Sequence, residues 1–155
     1  MAWVALMSPA SKTDARMFVL DTNVYVDIEE DAKFEASGSA FVARNAVIVS
    51  SVVVAELLVA IDSASRTRLL RNLRSQIAIT GALAPNADDW QTAALAWTRM
   101  APRTSQRRSF WNDLLLAASC ARTGVTLITS NASDFARIAK HIPVRHERPW
   151  RPGST

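Results

Sequence analysis

Three acidic residues interrupt runs that would otherwise be apolar, and a fourth comes just after one ends. Asp21 ends MFVL, Glu56 lies inside VVVAELLVA, and Asp113 sits near the start of FWNDLLLAASCA. Asp134 follows VTLIT, with Asn131 beside it. An ionised carboxylate at the margin of a core costs on the order of several kcal/mol unless a partner offsets it. Each acid has an ordinary use when taken singly. Asp21 and Asp134 could cap helices, Asp113 could favour the positive end of a helix dipole, and Glu56 could pair with a buried arginine. Glu56 is the hardest to account for in this way. With Val52, Val53, Val59 and Ala60 as helical neighbours, it stands on an apolar face where no cap is needed. Carboxylates brought together repel and shift one another's pKa values. A hard divalent cation removes that conflict, and all-oxygen donors select Mg2+ or Mn2+ over zinc.

The elements that must position these acids alternate along the chain. MFVL reads as a short buried strand ending at Asp21, with a helical turn or more from Asn23 to about Ile28. EEDAKFEASGSA reads as a polar connection, or as the end of one helix and the start of the next. AVIVS (Ala46 to Ser50) is a β-branched strand. It runs into SVVVAELLVAID, whose length and alanine and leucine content favour helix. RTRLLRNLRSQ is a helix with Leu69, Leu70 and Leu73 inward, and with Arg66, Arg68, Arg71 and Arg74 on a solvated face. IAIT is expected as a further strand. Asn86 caps PNADDWQTAALAWTRM, whose Trp90 and Trp97 share a face that is either core or subunit interface. A basic connection, APRTSQRRS, leads to the helix FWNDLLLAASCARTG, closed at Gly124. VTLIT is a strand, SNASDFARIAKHI a turn and helix, and a last strand is expected around Val144. Strands alternating with helices imply an α/β fold with a parallel sheet covered on both faces. In such a sheet the strand carboxyl ends gather at one edge, where ligands bind. All four acids belong to that edge.

Length and composition agree with this frame. A chain of 155 residues, 49% hydrophobic and 21% charged, suits one domain and not disorder. Residues 1–16 read as a loose N-terminal extension (with Met17 a second candidate start), 17–147 as the domain and 148–155 as a frayed tail. The net charge of +4 is uneven: residues 1–98 carry −3 and residues 99–155 carry +7. A basic half suits a polyanionic partner, although an arginine-rich solvated surface explains it too. Cys120 is the single cysteine, which excludes a disulfide framework or a thiolate zinc cluster and fits a small buried hydrophobe. The opening MAWVALMSPASKTDA lacks the basic region of a signal peptide, and no run reaches membrane-spanning length. The expectation is a cytoplasmic protein without a membrane.

LDTNVYV, SSVVVAEL and NDLLLAASCARTGVTLITSNASDF, in that order, resemble the motifs of PIN-domain ribonucleases. Within that superfamily they are most similar to the VapC toxins of toxin–antitoxin pairs. The resemblance spans roughly Met17 to Arg137. It implies a three-layer αβα sandwich with a mostly parallel central sheet, and a Mg2+- or Mn2+-dependent endoribonuclease. By the same resemblance Asp21, Glu56 and Asp113 are catalytic metal ligands, with Asp134 the fourth. The chain has Asn131 where many relatives carry an acid, so either Asn131 or Asp134 completes the set. Thr22, Asn23 and Ser50 match supporting polar positions. Arg107 and Arg108 are candidate phosphate clamps. The implied chemistry is attack of an ion-activated water on an RNA phosphodiester, with the charge on phosphate and leaving oxygen stabilised. The implied partners are RNA, a cognate antitoxin and a second copy of the chain.

Two other readings compete. One is a non-catalytic PIN-like subunit that binds protein or RNA, its cutting activity lost through Asn131. The other is a haloacid dehalogenase-type phosphatase with Asp21 as nucleophile. That chemistry looks for a second acid two residues on, where this chain has Asn23, and for a late lysine, where Lys140 is the sole candidate.

Overall fold

The structure, a computed structural model, describes residues 16–60, 63–100 and 107–150. Strand β1 (Met17–Leu20) is central. It pairs with β2 (Ala46–Val47) on one side and with β5 (Thr126–Ile128) on the other. Strand β5 in turn pairs with β6 (His146–Glu147), giving the order β2-β1-β5-β6. Strand β3 (Val49–Ser50) pairs with β4 (Ala82–Leu83), and every pairing is parallel. The strand expected over 46–50 is thus divided at Ile48, whose N–H still donates to Phe18 O at 2.8 Å. Its first half serves β1 and its second half serves β4.

Side-chain alternation assigns the two faces of the sheet. Phe18, Leu20, Val47 and Ile128 point into one core, completed by Val24 and Ile28 of α1 (Thr22–Glu30) and Phe34 and Val42 of α2 (Ala32–Arg44). Val19, Val49 and Leu127 point into the other. That core is filled by α3 (Ser51–Ala60), α4 (Ser63–Thr80), α5 (Ala87–Met100), α6 (Arg107–Thr123) and α7 (Ala132–Ile138). Helices on both faces of a parallel sheet make the expected αβα sandwich. Gly124, at φ 70°, closes α6 in the left-handed conformation that glycine adopts without steric cost.

Three expectations change. IAIT is not a strand: residues 77–80 are the last turn of α4, and the strand lies beyond Gly81, whose φ of 77° ends the helix. A short apolar run of this kind carries no periodicity to separate the two states, and the helix already under way continues through it. The last strand forms at His146–Glu147, while Val144 is buried in the core. Trp150, in the stretch expected to fray, packs on α2 instead. Its ring lies 5.1 Å from Phe34 and 5.0 Å from Phe41, and its Nε1 donates to Phe34 O at 3.1 Å. Gly38 makes the seat, since a Cβ there would meet Trp150 at 2.7 Å.

The aromatic face of α5 is also resolved. Trp97 packs on Phe110 and Trp111 of α6, whereas Trp90 touches Trp111 and stays 49% exposed. Among the described residues no helix is long and apolar enough to cross a membrane.

Candidate active site

Asp21 occupies the junction of β1 and α1. Its N–H continues the ladder to Ile128 O at 2.9 Å, and its carboxylate then caps α1 by accepting from Thr22 N at 2.8 Å. The capping role allowed by the sequence is real, but it uses only one oxygen. The other, Oδ2, accepts from Thr129 Oγ1 at 2.6 Å and from Asn23 Nδ2 at 2.8 Å. Asn23 reaches further, accepting Ser130 N–H at 3.0 Å, while Thr129 Oγ1 accepts Asn131 N–H at 3.0 Å. The ends of β1 and β5 are therefore laced together around one carboxylate that is 4% exposed. Burial pushes the Asp21 pKa up. The bonds from Thr129, Thr22 and Asn23 pull against that, and Glu56 adds repulsion.

Glu56 projects from α3. Its Oε1 accepts from Asn112 Nδ2 at 2.7 Å, and its Oε2 accepts from the Thr22 hydroxyl. Ser50 serves the same helix from below: buried, its Oγ accepts Val52 N–H at 3.3 Å at the start of α3. Asp134, in the first turn of α7, is engaged on both oxygens, by Asn131 Nδ2 at 3.0 Å and by Arg137 Nη1 at 3.1 Å.

Asp113, on α6, is different. Among the described residues none donates a hydrogen bond to its carboxylate. Burial drives its pKa up to about 8, with repulsion from Asp21, Glu56 and Asp134 adding to the rise. Within the described residues it is a carboxylate with negative neighbours and no donor.

Asp21, Thr22, Asn23, Glu56, Asp113, Asn131 and Asp134 line one cleft of about 380 Å³, together with Ala60, Ser109 and Phe110. The acids come from four separate segments, as their place at the strand carboxyl edge requires. Ser50 does not line the cleft and acts on α3 alone. Arg107 and Arg108 open α6, and their side chains lie outside the described residues.

Sequence reasoning missed Thr129 and Asn112. Each adjoins a motif residue, and their types (a hydroxyl just past a strand end, an amide before an acid) were the available signal. It also missed Asp89, which is 2% exposed and does not line the cleft. Burial alone would raise its pKa. Arg122, bonding both oxygens at 2.9 Å, holds it below the usual range instead, with help from the Asn86 N–H and the Ser119 hydroxyl, both donating to Oδ2. A buried acid is thus not by itself a reactive one.

Among the described residues no three acidic, histidine or cysteine side chains are disposed to hold one ion as they stand. Glu56 and Asp134 are turned onto other partners. The donor chemistry nevertheless fits a hard divalent cation. Every group is oxygen, and among the described residues none gives Asp113 the positive charge or donor that its neighbours require.

Known proteins bear on this arrangement. No curated protein sequence matches the chain significantly. The chain is similar to solved structures that cover nearly all of it. VapBC2 from Rickettsia felis, bound to a DNA fragment from its promoter, shares 21% identity over 87% of this chain and 99% of that one, with a TM-score of 0.61. VapBC-5 from Mycobacterium tuberculosis, of the VapBC family of toxin–antitoxin systems, shares 29% identity over 85% of this chain and 98% of that one, at 0.56. VapBC-1 from nontypeable Haemophilus influenzae shares 18% over 85% and 97%, at 0.61. The PIN domain family model matches residues 18–141. That span takes in all four acids and every strand but the last, so the chain belongs to the PIN domain family.

Proposed function

We propose that this chain is a divalent-metal-dependent endoribonuclease and the toxin of a toxin–antitoxin pair. The observation that carries the reading is Asp113: in a PIN domain, a carboxylate to which no described residue donates, facing three others across one cleft. Asp21 and Asp113 would hold the ion, with water and substrate phosphate completing its shell, as Mg2+ prefers. When bound, such an ion supplies a more acidic water and charge stabilisation on phosphate and leaving oxygen.

The chain's own residues set the stage for that chemistry. Thr129 and Asn23 fix the orientation of Asp21, in the way outer partners orient ligating carboxylates. Thr22 and Asn112 fix Glu56, leaving it at the cleft wall as a supporting negative group. Arg107 and Arg108, at the start of α6, remain candidates for the RNA backbone. The antitoxin partner is supported by the toxin–antitoxin complexes among the similar structures. A second copy of the chain is the occupant proposed for the face around Trp90. A cytoplasmic site of action follows from an RNA substrate.

The test is incubation of the purified protein with Mn2+ and a panel of structured RNAs, beside the Asp21→Asn variant. Cutting by wild type and not by the variant is expected. Equal cutting by both would place the activity elsewhere. A non-catalytic subunit is favoured by one observation only, the amide of Asn131 where an acid would add a ligand, and absence of any cutting would establish it. The phosphatase reading loses its footing. Asn23 is no second acid, and its amide is engaged between Asp21 and Ser130.

A further inference from the structure

A centre built for two cations presents acids on both sides of the substrate phosphate. Here Asp21 and Asp113 remain available to an ion, whereas Asp134 is already engaged on both oxygens. Asn131 contributes an amide, and its Nδ2 donates to Asp134 at 3.0 Å. The remaining oxygen of Asp134 accepts from Arg137 Nη1 at 3.1 Å. Asp134 and Arg137 are three residues apart on α7, so one short helix carries both and fixes their spacing. A second divalent ion at Asp134 would meet one amide and one carboxylate already paired with a cation.

We propose that Arg137 is the second positive charge of this centre, a substrate-phosphate-binding residue held in place by Asp134 in a cleft that takes a single divalent ion. The inference rests on the nuclease reading above and deepens it. Three physical points carry it. Asp134 lines the cleft, and Arg137, which does not, is bonded to it at 3.1 Å with its side chain 53% exposed, so the guanidinium lies beside the cleft and open to an arriving phosphate. The pair with Asp134 uses only Nη1 of the guanidinium, so its other N–H groups can meet a phosphate while Asp134 keeps the side chain in position. A guanidinium presents paired N–H donors matched to two phosphate oxygens and keeps its charge at every working pH.

Two measurements test this. Calorimetric titration of Mn2+ into the metal-free full chain should give one ion per chain; two ions would overturn the proposal. RNA affinity is then read by fluorescence anisotropy of a short labelled RNA in an Asp113→Asn background, where cutting is absent. Adding Arg137→Ala should weaken binding about tenfold, the scale of one charge-assisted contact. It should also flatten the slope of log affinity against log salt by about 0.7, one phosphate contact to a single strand. Arg137→Lys should recover the slope. A merely structural role would lower the melting temperature and leave the salt slope alone. If wild type cuts RNA but Arg137→Ala changes neither affinity nor slope, this proposal fails while the nuclease reading stands. If wild type takes up no Mn2+ and cuts nothing, both fall together.

Discussion

Replacing Asp113 by Asn should make the metal-free protein more stable while removing its activity. In the folded chain the Asp113 pKa stands at about 8 against an ordinary value of 3.8. The native state therefore keeps a proton that the unfolded chain has already lost, and stability falls as pH rises between about pH 4 and pH 8. At pH 7 roughly three pH units of that window have been crossed, equivalent to about 4 kcal/mol at about 1.4 kcal/mol per unit. Asp113 is only partly buried and solvent screens its neighbours, so about half, ~2 kcal/mol, is the expected gain. Asn keeps the shape and cannot ionise. In chelator, Asp113→Asn should melt ~4–8 °C above wild type at pH 7, and the gap should shrink toward zero near pH 4. Added Mn2+ should raise the wild-type melting temperature and leave the variant unmoved. Thermal denaturation at several pH values reads all of this. A variant no more stable than wild type at pH 7, or a gap independent of pH, would refute the electrostatic reasoning.

Further outcomes follow from contacts outside that pair. Thr129→Val strips a donor from Asp21 and an acceptor from Asn131 N–H. It should cost about 1–3 kcal/mol and weaken Mn2+ binding about 10- to 100-fold, read by urea titration and calorimetry; unchanged metal affinity would remove Thr129 from the site. Arg122→Ala leaves Asp89 buried without its cation and should cost about 3 kcal/mol near neutral pH. Because the folded Asp89 pKa is lowered, that contribution is present above the ordinary carboxylate range and lost as pH falls below about 4; a cost that persists undiminished at pH 2 counts against it. Gly38→Ala should destabilise wild type by unseating Trp150, yet stabilise a Trp150→Ala chain by about 0.5–1 kcal/mol, the helix preference of Ala over Gly. The sign change in a double-mutant cycle is the readout, and a cost in both backgrounds would show that Trp150 is not what fills the space above Gly38.

Much of the frame was legible because its cause is local. Val19 and Leu20, or Leu127 and Ile128, alternate between two cores, and a chain that alternates strand with helix has few ways to bury both. Asp21, Glu56 and Asp113 were legible because each breaks an apolar run, and Asp134 because it follows the end of one. The partners were not. Nothing near Glu56 in the sequence announces Asn112 or Thr22, because a hydrogen bond between residues far apart in the chain leaves no local trace. Asp89 was hidden for the opposite reason: it looks like an ordinary first-turn helix acid, and only the fold reveals Arg122 over it. The fate of 77–80 turned on Gly81, whose backbone angle lets α4 end one residue before β4 begins.

Asp21 and Thr129, bonded at the heart of the cleft, are 108 residues apart, and the strands behind them are adjacent in the sheet. Closing so large a loop comes late among folding events, since its entropy is lost before its contacts form. A nascent, truncated or clipped chain lacking the segment after β5 would own three of the acids and still have no working centre. On the toxin reading proposed above, potency and completeness of the polypeptide are thereby tied to each other.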